Sequence, residues 1–266
     1  MNRNPIGVFD SGLGGLTVVK ALRKVLPNES IVYFGDTARV PYGNKSPDLI
    51  KEYSLQIAEF LLTHNTKIIV VACNTATALA LETLQDKLDI PVIGVIHPGV
   101  GSALNITHNN HIGVIGTIST IGSNVYEAEL KNRDNSVKVT SIACPLFVPL
   151  AEEGWVNDPA TKLIAQKYLE PIIKAQIDTL ILGCTHYPLL SEIINEVVSS
   201  KIKLVDSATA MASATAKLLE QNNLLNHQVE KGDLSLFVSD LPARFEIVAR
   251  RFLGEKIANV EKFQLG

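Results

Sequence analysis

The sequence is poor in several things that would settle its class. Charged residues make up only 19% of its 266 residues, below the roughly 25% of an average globular protein. Hydrophobic residues reach 46%, which excludes a disordered chain. There are only three cysteines, an odd number that cannot staple a chain this long, so a disulfide scaffold is excluded. No close C-x₂-C pair marks a structural zinc site. Cys184 and His186 stand two apart with no third or fourth ligand in sight, so no metal is expected. Lys and Arg total 24 against 27 Asp and Glu, and no dense basic run is present, so nucleic acid is not an expected partner. The most apolar run, Ile68 to Cys73, stops at Asn74, far short of the ~20 residues of a membrane span. The start, Met-Asn-Arg-Asn-Pro, turns acidic at Asp10 too soon for a signal peptide. The chain reads as cytoplasmic, with its cysteines reduced.

What is present is a regular alternation. Near-continuous apolar runs predict strands at 6–9, 31–34, 67–72, 92–96, 112–115, 137–142, 179–182, 203–205 and 234–238. Such runs suit strands buried on both faces. Helical patterns fill the gaps at 16–26, 47–63, 76–88, 122–131, 159–175, 189–199, 208–221 and 242–252. The expected fold class is α/β, with mostly parallel sheets flanked by helices. The length suits about two domains, and a chain of this mass buries roughly three-quarters of its unfolded surface.

The chain also echoes itself. Ile68-Ile-Val-Val-Ala-Cys73-Asn74-Thr75 matches Thr179-Leu-Ile-Leu-Gly-Cys184-Thr185-His186. Each is an apolar strand ending in cysteine, then hydroxyl or amide residues, then a helix. Gly7-Val-Phe-Asp10-Ser11 lies upstream of Cys73 much as Gly113-Val-Ile-Gly-Thr117 lies upstream of Cys184. The pattern suggests two related halves. In open α/β sheets ligands bind beyond the carboxyl ends of the strands, where both cysteines fall. Helix N-termini there favour anions and are expected to lower a thiol pKa. One such cysteine alone reads as an ordinary buried residue; two in matched contexts point to chemistry. Cys144, before Pro145 and without polar company, reads as packing.

Other features are less specific. Asp10-Ser11-Gly12-Leu13-Gly14-Gly15 opens a helix but lacks the last glycine of a dinucleotide fingerprint, and its carboxylate would repel phosphate. It can instead hold an ammonium group or take a proton. The connection from Gly35 to Ser46 is long and polar, either a binding loop or plain surface. His186 can trade protons with Cys184, or cap the following helix. Glu152 and Glu153 read equally well as a solvated turn.

Taken together, Asp10-Ser11-Gly-Leu-Gly-Gly, Pro41-Tyr42-Gly43, Ala72-Cys73-Asn74-Thr75-Ala76 and Leu182-Gly-Cys184-Thr185-His186-Tyr-Pro188 closely resemble the glutamate racemases of the aspartate/glutamate racemase family. The resemblance spans the whole chain. It implies two pseudo-symmetric α/β domains with the active site in the cleft between them, and a C-terminal segment that returns to the first domain. The expected bounds are 1–97 plus 207–266 for one and 98–206 for the other. It implies cofactor-independent racemisation of glutamate, supplying D-glutamate for peptidoglycan, by a homodimer. Cys73 and Cys184 would be the acid/base pair, assisted by Asp10 and His186 respectively, with Glu152 as a further acidic helper. Ser11, Pro41, Tyr42, Gly43, Asn74, Thr75, Thr117, Thr120 and Thr185 would line the pocket, with Asp10 and His186. The rival expectations are an aspartate racemase or related isomerase, and a non-catalytic dicarboxylate-binding protein.

Overall fold

The computed structural model describes residues 3–253 and 260–265. Met1, Asn2, 254–259 and Gly266 lie outside them, and with them the outermost ends of the expected first domain. Ten described strands form two sheets in which every pairing is parallel. The first contains β1 (Ile6–Asp10), β2 (Ile31–Gly35), β3 (Ile68–Val71), β4 (Val92–Gly94), β9 (Leu234–Val238) and β10 (Val260–Lys262), in the order β10-β9-β2-β1-β3-β4. The second contains β5 (His111–Gly116), β6 (Lys138–Ala143), β7 (Thr179–Gly183) and β8 (Lys203–Asp206), in the order β6-β5-β7-β8. The sequence echo is therefore topological. β2-β1-β3-β4 and β6-β5-β7-β8 are one arrangement used twice, with β3 and β7, the strands that lead to the cysteines, beside the first strand of each half.

Both faces of each sheet are covered, as the apolar runs require. Ile6 and Val8 of β1 enter one core and Phe9 the opposite one. Leu180 and Leu182 of β7 enter one core and Ile181 the other. The covering helices are α1 (Leu16–Val25), α2 (Pro47–Thr63), α3 (Asn74–Lys87), α4 (Ile96–Ile106), α5 (Ile118–Gly122), α6 (Val125–Arg133), α7 (Phe147–Glu152), α8 (Pro159–Lys174), α9 (Ser191–Val198), α10 (Ser207–Gln221) and α11 (Pro242–Leu253). Several start on local signals. Ser46 caps α2 and Asp158 caps α8, each with proline at the first helical position, where a missing N–H costs nothing. Asp206 caps α10 at 2.9 Å.

The structure corrects several expectations. The strand predicted over 92–96 ends at Gly94, and Ile96 opens α4. Pro98, Gly99 and Gly101 hide this helix from a propensity reading. Pro98 is tolerated because it lies in the first turn. Gly99 has a packing role, since a Cβ there would lie 2.6 Å from Ser207 Oγ of α10. The helix predicted over 122–131 begins only at Val125, as α6, after Asn124, whose φ is 58°, and the short α5 before it had no forecast. Helix α7 and strand β10 had no sequence forecast.

α4 and α10 also trade sides. α4 follows the first sheet's β4, yet Ile96, Val100 and Ala103 pack in a core with Ile112, Val114 and Ile181 of the second. α10 follows the second sheet's β8, yet Ala208, Met211 and Ala212 pack with Ile6 and Val8 of the first. The two sheets are thereby fastened with their strand ends close enough to share one site. Among the described residues no helix is long and apolar enough to cross a membrane.

Candidate active site

The ends of the central strands meet. Cys73 is the N-cap residue of α3, and its Sγ accepts the Ala76 N–H at 3.4 Å. Cys184 follows β7 directly and leads into a single 3₁₀ turn, Tyr187–Leu190, ahead of α9. The helix-terminus expectation thus holds in form for Cys73 and not for Cys184. Its electrostatic consequence is also corrected. Burial and the Asp10 carboxylate push the Cys73 thiol up to about 12, against the pull of the Ala76 N–H and the Ser11 hydroxyl. One amide donor does not offset the loss of water and a neighbouring anion.

Asp10 is fully buried at the end of β1. Its Oδ2 accepts the Gly12 N–H at 3.0 Å, and its Oδ1 accepts the Thr185 hydroxyl at 3.2 Å. One carboxylate thus sits beside Cys73 and ties itself to the neighbour of Cys184. Two glycines make room for this approach. A Cβ on Gly15 would lie 2.5 Å from Asp10 Cβ, and one on Gly14 would lie 2.2 Å from Thr185 Oγ1.

Around Cys184 the partners differ. Its Sγ lies 3.8 Å from His186 Nδ1, and His186 Nε2 lies 3.1 Å from Glu152 Oε1. Burial opposes a charged imidazole, but hydrogen bonds to Cys184 and Glu152, with their charges, outweigh it and push His186 up to about 10. His186 is therefore an imidazolium at neutral pH. It precedes the 3₁₀ turn but makes no side-chain cap bond, so of the two sequence readings the cap is the one not seen. Glu152, read equally as a solvated turn, ends α7 and reaches back to the imidazole.

A small cavity of about 30 Å³ lies between the two cysteines. Of the expected pocket residues, Ser11, Pro41, Tyr42, Gly43, Asn74 and Thr75 line it from the first half. Thr117, Thr185 and His186 line it from the second. Thr120 and Asp10 do not line it but bond to residues that do. Thr75, Thr117 and Thr120 form a triangle of hydroxyls 2.9 to 3.0 Å apart. Tyr126 donates to Asn74 Oδ1 at 2.6 Å, which occupies the acceptor end of that amide. A wider cavity of about 310 Å³ shares Val40, Pro41, Gly43, Thr117 and Val148 with the first and reaches Glu152. Val40 and Val148 escaped the sequence reading, since a lone valine carries no chemical signal. Cys144 is buried in the same core as Cys184, and burial, then the charge of Cys184, pushes its thiol up to about 12.

The connection from Gly35 to Ser46, ambiguous in the sequence, folds over the cavity. Ser119 of α5 donates to Gly43 O at 2.7 Å, and a Cβ on Gly43 would lie 2.6 Å from Thr117 Cβ. The loop of one half is thus seated on the strand-end helix of the other.

A model of the Asp/Glu/Hydantoin racemase family matches residues 16–215. A glutamate racemase from Geobacter metallireducens is 52% identical over 260 residues, covering 98% of this chain and 96% of that protein. Among solved structures, glutamate racemase isoform RacE1 from Bacillus anthracis is similar with a TM-score of 0.96 at 40% identity, covering 100% of this chain and 99% of that one. The glutamate racemase of Francisella tularensis, in complex with D-glutamate, has a TM-score of 0.94 at 41% identity, with the same coverage. On the strength of the family match, and of identity sustained along almost its full length, the chain belongs to the Asp/Glu/hydantoin racemase family.

Proposed function

We propose that the protein interconverts L- and D-glutamate by a two-base mechanism without a cofactor, and that the D-glutamate serves peptidoglycan synthesis. The observation that carries this reading is one cavity lined by two buried cysteines, one from each sheet, with an anion beside Cys73 and a cation beside Cys184. The names of the relatives support glutamate as the substrate. The domains would be residues 1–97 with 207–266 and residues 98–206, closing on the substrate between them.

Racemisation removes the α-proton on one face and returns a proton on the other. The two bases must start in opposite states, one thiolate and one thiol. Cys73, raised by burial and Asp10, is the resting thiol. That leaves Cys184, facing the His186 imidazolium, as the first base. Cys184 takes the α-proton while Cys73 delivers its own to the opposite face, and the pair ends with its states exchanged. Asp10, one hydrogen bond behind the lining through Thr185, supplies negative charge beside the place the substrate ammonium would take. Asn74, Thr75, Thr117 and Thr185 can hold the carboxylates, with Thr120 bracing Thr75 and Thr117 from behind, and donors placed this way stabilise the developing carbanion where water is excluded. The wider cavity, which shares Val40, Pro41, Gly43, Thr117 and Val148 with the one between the cysteines, is the way in.

The test is incubation of pyridoxal-free protein with L-glutamate in D₂O. NMR should show α-deuteration, and chiral chromatography should show D-glutamate. Faster turnover of aspartate than of glutamate would favour the rival isomerase. Glutamate binding by calorimetry with no α-exchange would replace the catalytic reading with a binding protein.

A further inference from the structure

Asp36 follows β2 and is fully buried, yet the mechanism above does not use it. Its two oxygens gather three side chains. Oδ2 accepts the Tyr42 hydroxyl at 2.5 Å and Arg39 Nε at 2.7 Å, and Oδ1 accepts the Ser239 hydroxyl at 2.8 Å. Its own N–H donates to the Asp10 carbonyl at 3.1 Å. Arg39 in turn lies 3.9 Å above the Tyr53 ring and donates to Gln56 of α2. The Asp36 charge is thus compensated by one guanidinium that is itself clamped.

Tyr42 shows what this network does. Its ring is packed in the core with Phe34, Ile50 and Ile57. Burial, and then the Asp36 charge, push its hydroxyl far above the ordinary range, so it stays protonated and donates to Asp36. With ring and hydroxyl both engaged, Tyr42 is held in place in the cavity lining between Pro41 and Gly43.

We infer that Asp36 is a positioning residue, which fixes the Pro41-Tyr42-Gly43 backbone against the cavity by fastening Tyr42 and Arg39, and ties that loop to the C-terminal segment through Ser239. This inference rests on the proposed reading of the cleft as the glutamate site, but one of its readouts does not need racemisation. A buried carboxylate that accepts three donors cannot be replaced by an amide without losing acceptor capacity. Tyr42→Phe removes one donor and keeps the ring.

Asp36→Asn should raise KM for glutamate about tenfold and Tyr42→Phe several-fold. The double variant should be no worse than Asp36→Asn alone, because both act through the same bond. Independently, the rate at which iodoacetamide labels Cys73, followed by mass spectrometry with Cys144 as the internal reference, should rise in both variants as the loop loosens. A purely structural carboxylate would lower Tm and leave both KM and the Cys73/Cys144 labelling ratio unchanged, and that result overturns the inference. If Asp36→Asn fails to fold, Tyr42→Phe decides alone. If the protein turns over neither glutamate nor aspartate, the proposed reaction fails, and the labelling ratio by itself supports or overturns the role of Asp36.

Discussion

Cys73 and Cys184 occupy the same topological place in two sheets of the same strand order, and their surroundings differ. Cys73 caps a fourteen-residue helix and faces the Asp10 carboxylate. Cys184 precedes a single 3₁₀ turn and faces a histidine held by Glu152. The duplicated scaffold places two sulfurs on one cavity. The unduplicated neighbours give them unlike charge environments, which the proposed two-base reaction would need. Asp10 also crosses the divide, accepting from Thr185, so the Cys73 side is not built by one half alone.

The largest effect expected is loss of the pair. Cys73→Ala and Cys184→Ala should each lower racemisation by about 10²–10⁴-fold, measured by α-deuteration. Near-normal turnover in one variant would mean that the two cysteines are not partners.

Removing the charge that distinguishes the Cys184 side comes next. Glu152→Gln should lower kcat/KM about tenfold near pH 8 and move the alkaline limb of the pH profile. In the unsubstituted protein that limb should lie near 10, where His186 loses its proton. Without the Glu152 charge it should fall to lower pH. The same shift bears on stability. His186 titrates at about 10 when folded, against 6.5 ordinarily. The stabilisation is therefore complete below about pH 6.5 and is lost as pH rises towards 10. Urea unfolding at a series of pH values should show this decline, and Glu152→Gln should show less of it.

The seam between the halves gives a smaller effect. Gly14→Ala puts a methyl group against Thr185 and His186 and should cost about 1–3 kcal/mol as well as activity. Gly122→Ala, where nothing lies within 4 Å, should do neither. The smallest effect belongs to the third thiol. Cys144→Ala should leave kcat/KM within about twofold and lower stability by about 1 kcal/mol. A large loss of activity there would end the division of the cysteines into two that react and one that packs.

Much of the framework was legible because its signals are local. Apolar runs gave nine strands, and β10, three residues long and mostly exposed, gave no run to read. Gly, Ser and Pro marked the turns around Asp10 and Pro41. The polar residues after each cysteine pointed to chemistry in place of packing. The signal failed where a helix exists for its partner. α4 carries Pro98, Gly99 and Gly101, and Gly99 matters only because Ser207 lies against it. The expectation of a lowered Cys73 thiol failed for a related reason. A helix terminus can be read from sequence, but the water excluded from it cannot.

By itself the sequence determined the two α/β halves, the cysteine at the end of a central strand in each, and the polar residues that follow, because strand burial and turn chemistry depend on near neighbours along the chain. Only the tertiary structure decided that α4 and α10 trade sides, that Asp10 reaches Thr185, that Glu152 holds His186, and that Asp36 gathers Tyr42, Arg39 and Ser239. Asp36 and Ser239 are 203 residues apart, and Asp10 and Thr185 are 175 apart. Contacts over such separations are set by how the packed sheets meet, and in the low-dielectric space they enclose the same residue types take on charges that the chain alone does not assign.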